Sequence, residues 1–250
     1  MTDSGEASAS VVTTTDSGPA PRILSGAPGR RAGAVRPRPD YGDRMALLHE
    51  ATITPRKDEL VEPWLRTRPW WDGEAGRGPV AAFRLDDPAG EVGIECFLMG
   101  SPSGSTLFVP VTYRGAALDG AGLVGTLEHS VLGTRYVYDA CTDPVFVATV
   151  LDTVRAGGRQ ADLHLVLADG AQVVREPAAT ARGDGDPAVP VHDPAQPLAV
   201  VDGADRTTVT GPGWELVVMR RPGDAPAGPA LVAGYAGGAD LRVAVVRPGQ

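Results

Sequence analysis

Hydrophobic and polar positions follow no period over the first 44 residues, which are filled largely by Ser, Thr, Gly, Pro, Ala and Arg. Such a stretch buries too little surface to offset chain entropy, so residues 1–44 are expected to form a disordered tail. Order is expected from "RMALLHEATITP". There Met45, Leu47, His49 and Ala51 interleave with Ala46, Leu48, Glu50 and Thr52, the period of a strand. Thr54-Pro55 then predicts an N-cap followed by proline at the first helical position. The helix in "RKDELVEPWLRTR" would gather Leu60, Val61, Trp64 and Leu65 on one face, with Pro63 bending or shortening it.

Strand patterns dominate the chain beyond this helix. "PVAAFRLDDPAGEVGIECFLMG" sets the turn chemistry DDPAG between two apolar runs and predicts a β-hairpin. "STLFVPVTYRG" predicts a third strand through Leu107, Val109 and Val111, with Pro110 at an edge or a bulge. "GTLEHSVLGTRYVYDA" predicts one or two strands broken near Gly133. On them Leu127, His129 and Val131 would share one face, and Thr126, Glu128 and Ser130 the other. Asp143-Pro144 is a second N-cap with proline at N1. It opens a helix with the apolar stripe Val147, Val150, Leu151 and Val154, ending at Gly157 or Gly158.

Beyond residue 160, "ADLHLVLADG", "AQVVREP", "LAVVDGADRTTVTGPGWELVVMRRPG" and "PALVAGYAGGADLRVAVVRP" are short strand-like runs between turns. "ATARGDGDPAVPVHDPAQP" reads as a long loop, around 177–197. The predicted organisation is an α+β domain over 45–160 followed by a β-rich part over 161–250, with no internal repeat.

Composition narrows the function classes. The 250 residues are 42% hydrophobic and 22% charged, an ordinary globular balance. The net charge of -8 and the absence of a basic stripe argue against a nucleic-acid partner. Cys96 and Cys141 lack C-x-x-C spacing and read as reduced, buried thiols of a cytoplasmic protein. Four isolated histidines cannot form a zinc cluster, and no run of about 18 apolar residues suggests a membrane span. No cofactor is expected.

Catalytic motifs are missing. Lys57, the single lysine, lies in no glycine-rich segment, and neither a dinucleotide fingerprint nor a nucleophile elbow occurs. A kinase-type catalytic loop is also absent. His192-Asp193 sits in Pro-rich sequence and reads as a turn. Glu128, His129 and Ser130 are adjacent, but strand alternation separates the first and third from the second. Arg135, Tyr136, Tyr138 and Asp139 offer two readings: a surface that stacks and hydrogen-bonds a sugar, or the fastening of a strand to the next helix. Trp70-Trp71 likewise reads as core packing or as an aromatic platform. These eight residues are the candidates for binding a ligand or partner. An enzyme site assembled from Glu128, His129, Arg135 and Asp139 would require those side chains to converge.

"TLEHSVLGTRYVYDACTDPVFVATVL" (126–151) resembles the signature of the maltokinase N-terminal cap domain. "MALLHEATITPRKDELVEPWLRTRPWW", "FRLDDPAGEVGIECFL" and "LFVPVTYRGAALDG" resemble the same family in the same order, so the resemblance spans roughly 45–160. It looks closest to stand-alone, cap-like members of actinobacteria. It implies a curved antiparallel sheet with a few packed helices, and a connection to trehalose, maltose and glycogen metabolism. The sequence after residue 160 lacks the phosphotransferase machinery that follows the cap in a maltokinase, so ATP binding and sugar phosphorylation do not transfer. The expectation is a non-catalytic regulatory or scaffolding module partnered with a maltokinase or another sugar-metabolic enzyme. The alternative is a carbohydrate or small-ligand binding module.

Overall fold

The computed structural model describes residues 45–49, 51–71, 73, 79–100, 105–166 and 172–249. The tail expected over 1–44 lies outside the described residues. Among the described residues, fifteen strands and two α-helices form a mostly β molecule. β1 (Met45–His49) is followed by β2 (Ile53–Thr54) and helix α1 (Lys57–Leu65). α1 starts later than the sequence suggested. Arg56, rather than Thr54, is its N-cap residue, and the Arg56 backbone N–H donates to Glu59 Oε2 at 2.9 Å. Asp58 and Glu59 lie in the first turn, where carboxylates meet the positive end of the helix dipole. Pro63 is accommodated inside the helix, which ends two residues later, and successive turns carry the chain on to a fully buried Trp70.

β3 (Pro79–Leu85), β4 (Gly93–Gly100), β5 (Thr106–Arg114), β6 (Leu123–His129) and β7 (Gly133–Asp139) complete a first sheet in the order β2-β6-β7-β5-β4-β3. It is antiparallel and curls into a half-barrel. β3 and β4 are the expected hairpin, and Asp87 builds its turn by accepting from the backbone N–H groups of Ala89, Glu91 and Val92. β5 pairs with β7 from Val111 to Arg114, so Pro110 falls just past the end of that pairing, where its missing N–H breaks no ladder bond. β6 and β7 meet at Gly133, which takes a left-handed φ of 70°.

A 3-10 turn (Ala140–Thr142) leads from β7 into α2 (Pro144–Ala156). Asp143 caps α2, proline occupies the first turn, and Gly157 closes the helix at φ 65°. Val147, Val150, Leu151 and Val154 are all fully buried, as their spacing requires.

The second sheet has the order β10-β14-β15-β13-β12-β11 and is antiparallel throughout. Its strands are β10 (Ala179–Gly183), β11 (Ala199–Asp202), β12 (Arg206–Gly211), β13 (Trp214–Met219), β14 (Ala230–Tyr235) and β15 (Leu241–Pro248). β10 corrects the loop expected around 177–197. Ala179 and Ala181 are buried while Thr180 and Arg182 are exposed, a strand alternation made with small residues. Small size matters there: a Cβ on Gly183 would lie 2.1 Å from the Thr153 carbonyl oxygen of α2. A third, three-stranded sheet joins β1, β8 (Asp162–Val166) and β9 (Gln172–Arg175), with β1 and β8 parallel.

Alternation divides the core in two. Phe83, Ile94, Cys96, Leu98 and Phe108 point to one side of the half-barrel, where they join α2 and the second sheet through Trp214, Leu216, Leu231 and Val243. Phe97, Val109, Val111, Leu127 and Val137 point to the other side, where they pack with Val61, Trp64 and Leu65 of α1. The first sheet is therefore covered on both faces, and one apolar cluster runs on across residue 160.

Candidate functional site

Strand alternation decides where the polar residues of 126–146 go. Leu127 and His129 are buried, and Glu128 and Ser130 are exposed on the opposite side. His129 Nδ1 accepts the N–H groups of Val131 and Leu132 at 3.2 and 3.1 Å, so the imidazole fastens the hairpin turn. Glu128 accepts the hydroxyl of Thr134 at 2.8 Å across the same hairpin. Ser130 Oγ accepts the N–H of Thr52 and ties the end of β6 to the chain entering β2. Arg135 is half-buried beside Gly115, where an added Cβ would come 2.6 Å from its Nη1. Partial burial lowers the pKa of this guanidinium.

Tyr136 and Tyr138 share the other face of β7. Tyr136 is half-buried, whereas Tyr138 is buried and its hydroxyl accepts the Leu118 N–H at 2.7 Å. Trp70 has no exposed surface and packs edge-on against Trp64 at 5.8 Å, while Trp71 is half-buried. Glu128, His129, Arg135 and Asp139 are not brought together. The first two face opposite ways near one end of the hairpin, and Asp139 lies at the far end of β7.

Asp139 instead meets a residue that sequence patterns did not single out. Arg220 is fully buried, and its Nη2 donates to both carboxylate oxygens of Asp139 at 2.6 Å. Its Nε donates to Thr207 Oγ1 at 2.7 Å, and that hydroxyl donates to Asp202 Oδ1 at 2.6 Å. The Arg220 guanidinium lies 4.7 Å from the centre of the Trp70 ring, a cation–π contact. Burial alone would lower its pKa, but the charge and hydrogen bonds of Asp139 outweigh that and raise it. The Arg220 carbonyl accepts the Phe108 N–H at 2.9 Å, and Arg221 Nε donates to the Trp70 carbonyl at 3.0 Å. "VVMRRPG" carries no motif that announces this role. The signal exists only once β5, β7 and β13 are in place.

A second ionic group lies on the sheet face that packs with α1. Glu95 is held by Lys57 Nζ at 2.6 Å, Arg84 Nη2 at 3.2 Å and the Tyr113 hydroxyl at 2.8 Å. Burial favours its neutral form, yet the two cations and the hydrogen bonds prevail and bring its pKa down to about 2. Lys57, also within 6 Å of the Phe97 and Tyr113 rings at 5.8 and 5.6 Å, has its pKa lowered by burial despite Glu95. A third group ties the sheet to α2: Asp143 accepts from Thr112 Oγ1 at 2.8 Å and from Arg114 at 2.7 and 2.6 Å while capping Val145.

The Asp139 group borders a cleft of about 570 Å³ between the 118–122 loop and β11. Its lining includes Arg68, Asp119, Thr142, Gln196, Leu198 and Asp202. Among the described residues no group of three or more His, Cys, Asp or Glu side chains is placed to hold a metal ion. No helix of the described residues is long and apolar enough to cross a membrane.

These features define a mostly β protein in which a curled antiparallel sheet, packed against helix α1 on one face, is fastened to a second sheet through the buried Arg220–Asp139 ion pair. Residues 64–143 match the family model of the maltokinase N-terminal cap domain. The match runs from Trp64 in α1 to Asp143, the cap of α2, and so covers most of the half-barrel. A search of curated proteins finds no match.

Proposed function

We propose that this chain is a non-catalytic cap module that binds a maltokinase or a related sugar-metabolic enzyme and regulates or scaffolds it in the cytoplasm. The observation that carries this reading is the match of residues 64–143 to a domain named for its place at the N-terminus of maltokinase. The use of the polar side chains supports the non-catalytic part. His129 Nδ1 accepts backbone N–H groups, and the carboxylates of Asp139 and Asp143 accept from Arg220 and Arg114. A nucleophile or a general base needs a partner within reach and a free reacting atom. The trehalose, maltose and glycogen route is the metabolic setting that the family connection favours.

The test mixes the purified chain with a maltokinase from the same source and follows ATP turnover with maltose. Co-elution and a changed kcat or KM are expected, with no turnover by the chain alone. Independent elution with unchanged kinetics overturns the regulatory reading. Maltose-dependent ATP turnover by the chain alone overturns the non-catalytic one.

A further inference from the structure

The cleft beside Asp139 differs from the fastening groups around it because some of its polar atoms are uncommitted. Asp139 is satisfied by Arg220 and by the Cys141 N–H, and Thr142 Oγ1 both donates to the Asp139 carbonyl and accepts from the Gly122 N–H. These groups form a wall. Asp202 is different: its Oδ1 takes the Thr207 hydroxyl, whereas its Oδ2 stands 3.7 Å from Arg68 Nη1. That separation is too long for a hydrogen bond. Arg68 is held from behind, stacked 5.2 Å from the Trp64 ring and bonded through Nε and Nη2 to Thr67 Oγ1, so Nη1 is its outward group. The two heads remain 30% and 24% exposed. Asp119 and Gln196 stand exposed in the lining, and neither makes a side-chain hydrogen bond among the described residues.

We propose that this cleft binds a neutral polyhydroxyl ligand of sugar size through Arg68, Asp119 and Asp202. The volume falls within the range of about 300–1,000 Å³ typical of small-molecule sites. Charge selects the class. Arg220 balances Asp139, which leaves Asp119 and Asp202 facing Arg68, a net of one negative charge. A phosphate or carboxylate ligand is repelled by that balance. A polyamine would meet Arg68 and could accept nothing from it. A hydroxyl donates to Asp202 and accepts from Arg68 at once, and neighbouring hydroxyls on a ring extend the pattern to Asp119. Leu198 and Val200 supply apolar surface for the carbon face of such a ring.

The proposal stands independently of the cap reading, because it is tested on the chain alone. Amide signals of the full chain are followed by NMR while glucose, maltose, trehalose, glucose 1-phosphate and spermidine are titrated separately. At least one neutral sugar is expected to shift signals from Arg68, the 118–122 loop and 198–202. Asp202→Asn keeps an oxygen for Thr207 but removes the charge, and is expected to weaken binding about tenfold or more. Asp119→Ala, at an exposed position, is expected to weaken it as well and carries the test if the first variant unfolds. Overturning results are silence with all three sugars in large excess, shifts confined to other surfaces, or affinity unchanged in Asp119→Ala. Binding of glucose 1-phosphate or spermidine more tightly than any neutral sugar also overturns it. Altered maltokinase kinetics in the mixing experiment bears on the cap reading alone, so either idea can fail without the other.

Discussion

Arg220 and Asp139 are 81 positions apart in sequence, and neither has a side-chain exposure above 5%. A buried pair of this kind contributes little over a well-packed apolar pair, but removing one partner leaves a charge with no compensation. Asp139→Asn is therefore expected to lower unfolding stability by about 3–5 kcal/mol in urea titration. Arg220→Met added to it should restore part of that loss, because the orphaned charge is then gone. Glu95 makes a pH prediction of defined sign. Its carboxyl pKa falls from 4.5 to about 2 on folding, so its contribution is present above pH 4.5 and is lost as pH falls towards 2. The stability gap between the natural chain and Glu95→Gln should narrow across that window in acid titration. A constant gap would show that the Lys57 and Arg84 contacts do not hold the folded carboxylate charged.

At the scale of elements, α2 shows one residue serving three purposes. Asp143 caps the helix, receives Arg114 and Thr112 from β5, and has no exposed surface. An exposed cap is worth about 0.5–2 kcal/mol. Asp143→Ala should cost more than that in thermal unfolding, because two further donors lose their acceptor. The cap and the proline at N1 were legible from "DP" followed by an apolar stripe, since capping depends on local geometry. α1 was less legible. Thr54-Pro55 has the composition of a helix start, but Glu59 closes back on Arg56 and sets the start at Lys57. β10 hid in turn-rich sequence because its apolar positions are Ala179 and Ala181, too small to register as strand residues until α2 lies close above them.

On the scale of the whole molecule, the half-barrel buries Phe83, Cys96, Leu98 and Phe108 against α2 and residues of the second sheet. A division at residue 160 would open that cluster to water. Fluorescence and near-ultraviolet circular dichroism should therefore report one coincident unfolding transition for the full chain. A fragment covering residues 45–160 should give poorly dispersed NMR spectra, because the sheet face that packs with the second sheet has lost its partner.

The candidate residues divide along the same line. Gly133 as the hairpin break, the separation of Glu128 and Ser130 from His129, and the capping of α2 were all determined by the sequence alone. Each depends on a period of two, on backbone sterics, or on a hydrogen bond within a few residues. The tertiary structure alone decided that Asp139 meets Arg220, that Trp70 lies beneath that guanidinium, and that Arg68 and Asp202 face each other across a cleft. Contacts of this kind join segments as much as 151 positions apart, as the Arg221 bond to the Trp70 carbonyl does. Charge pairing at that range leaves no periodic trace in the chain, and it exists only after burial has brought the sheets together.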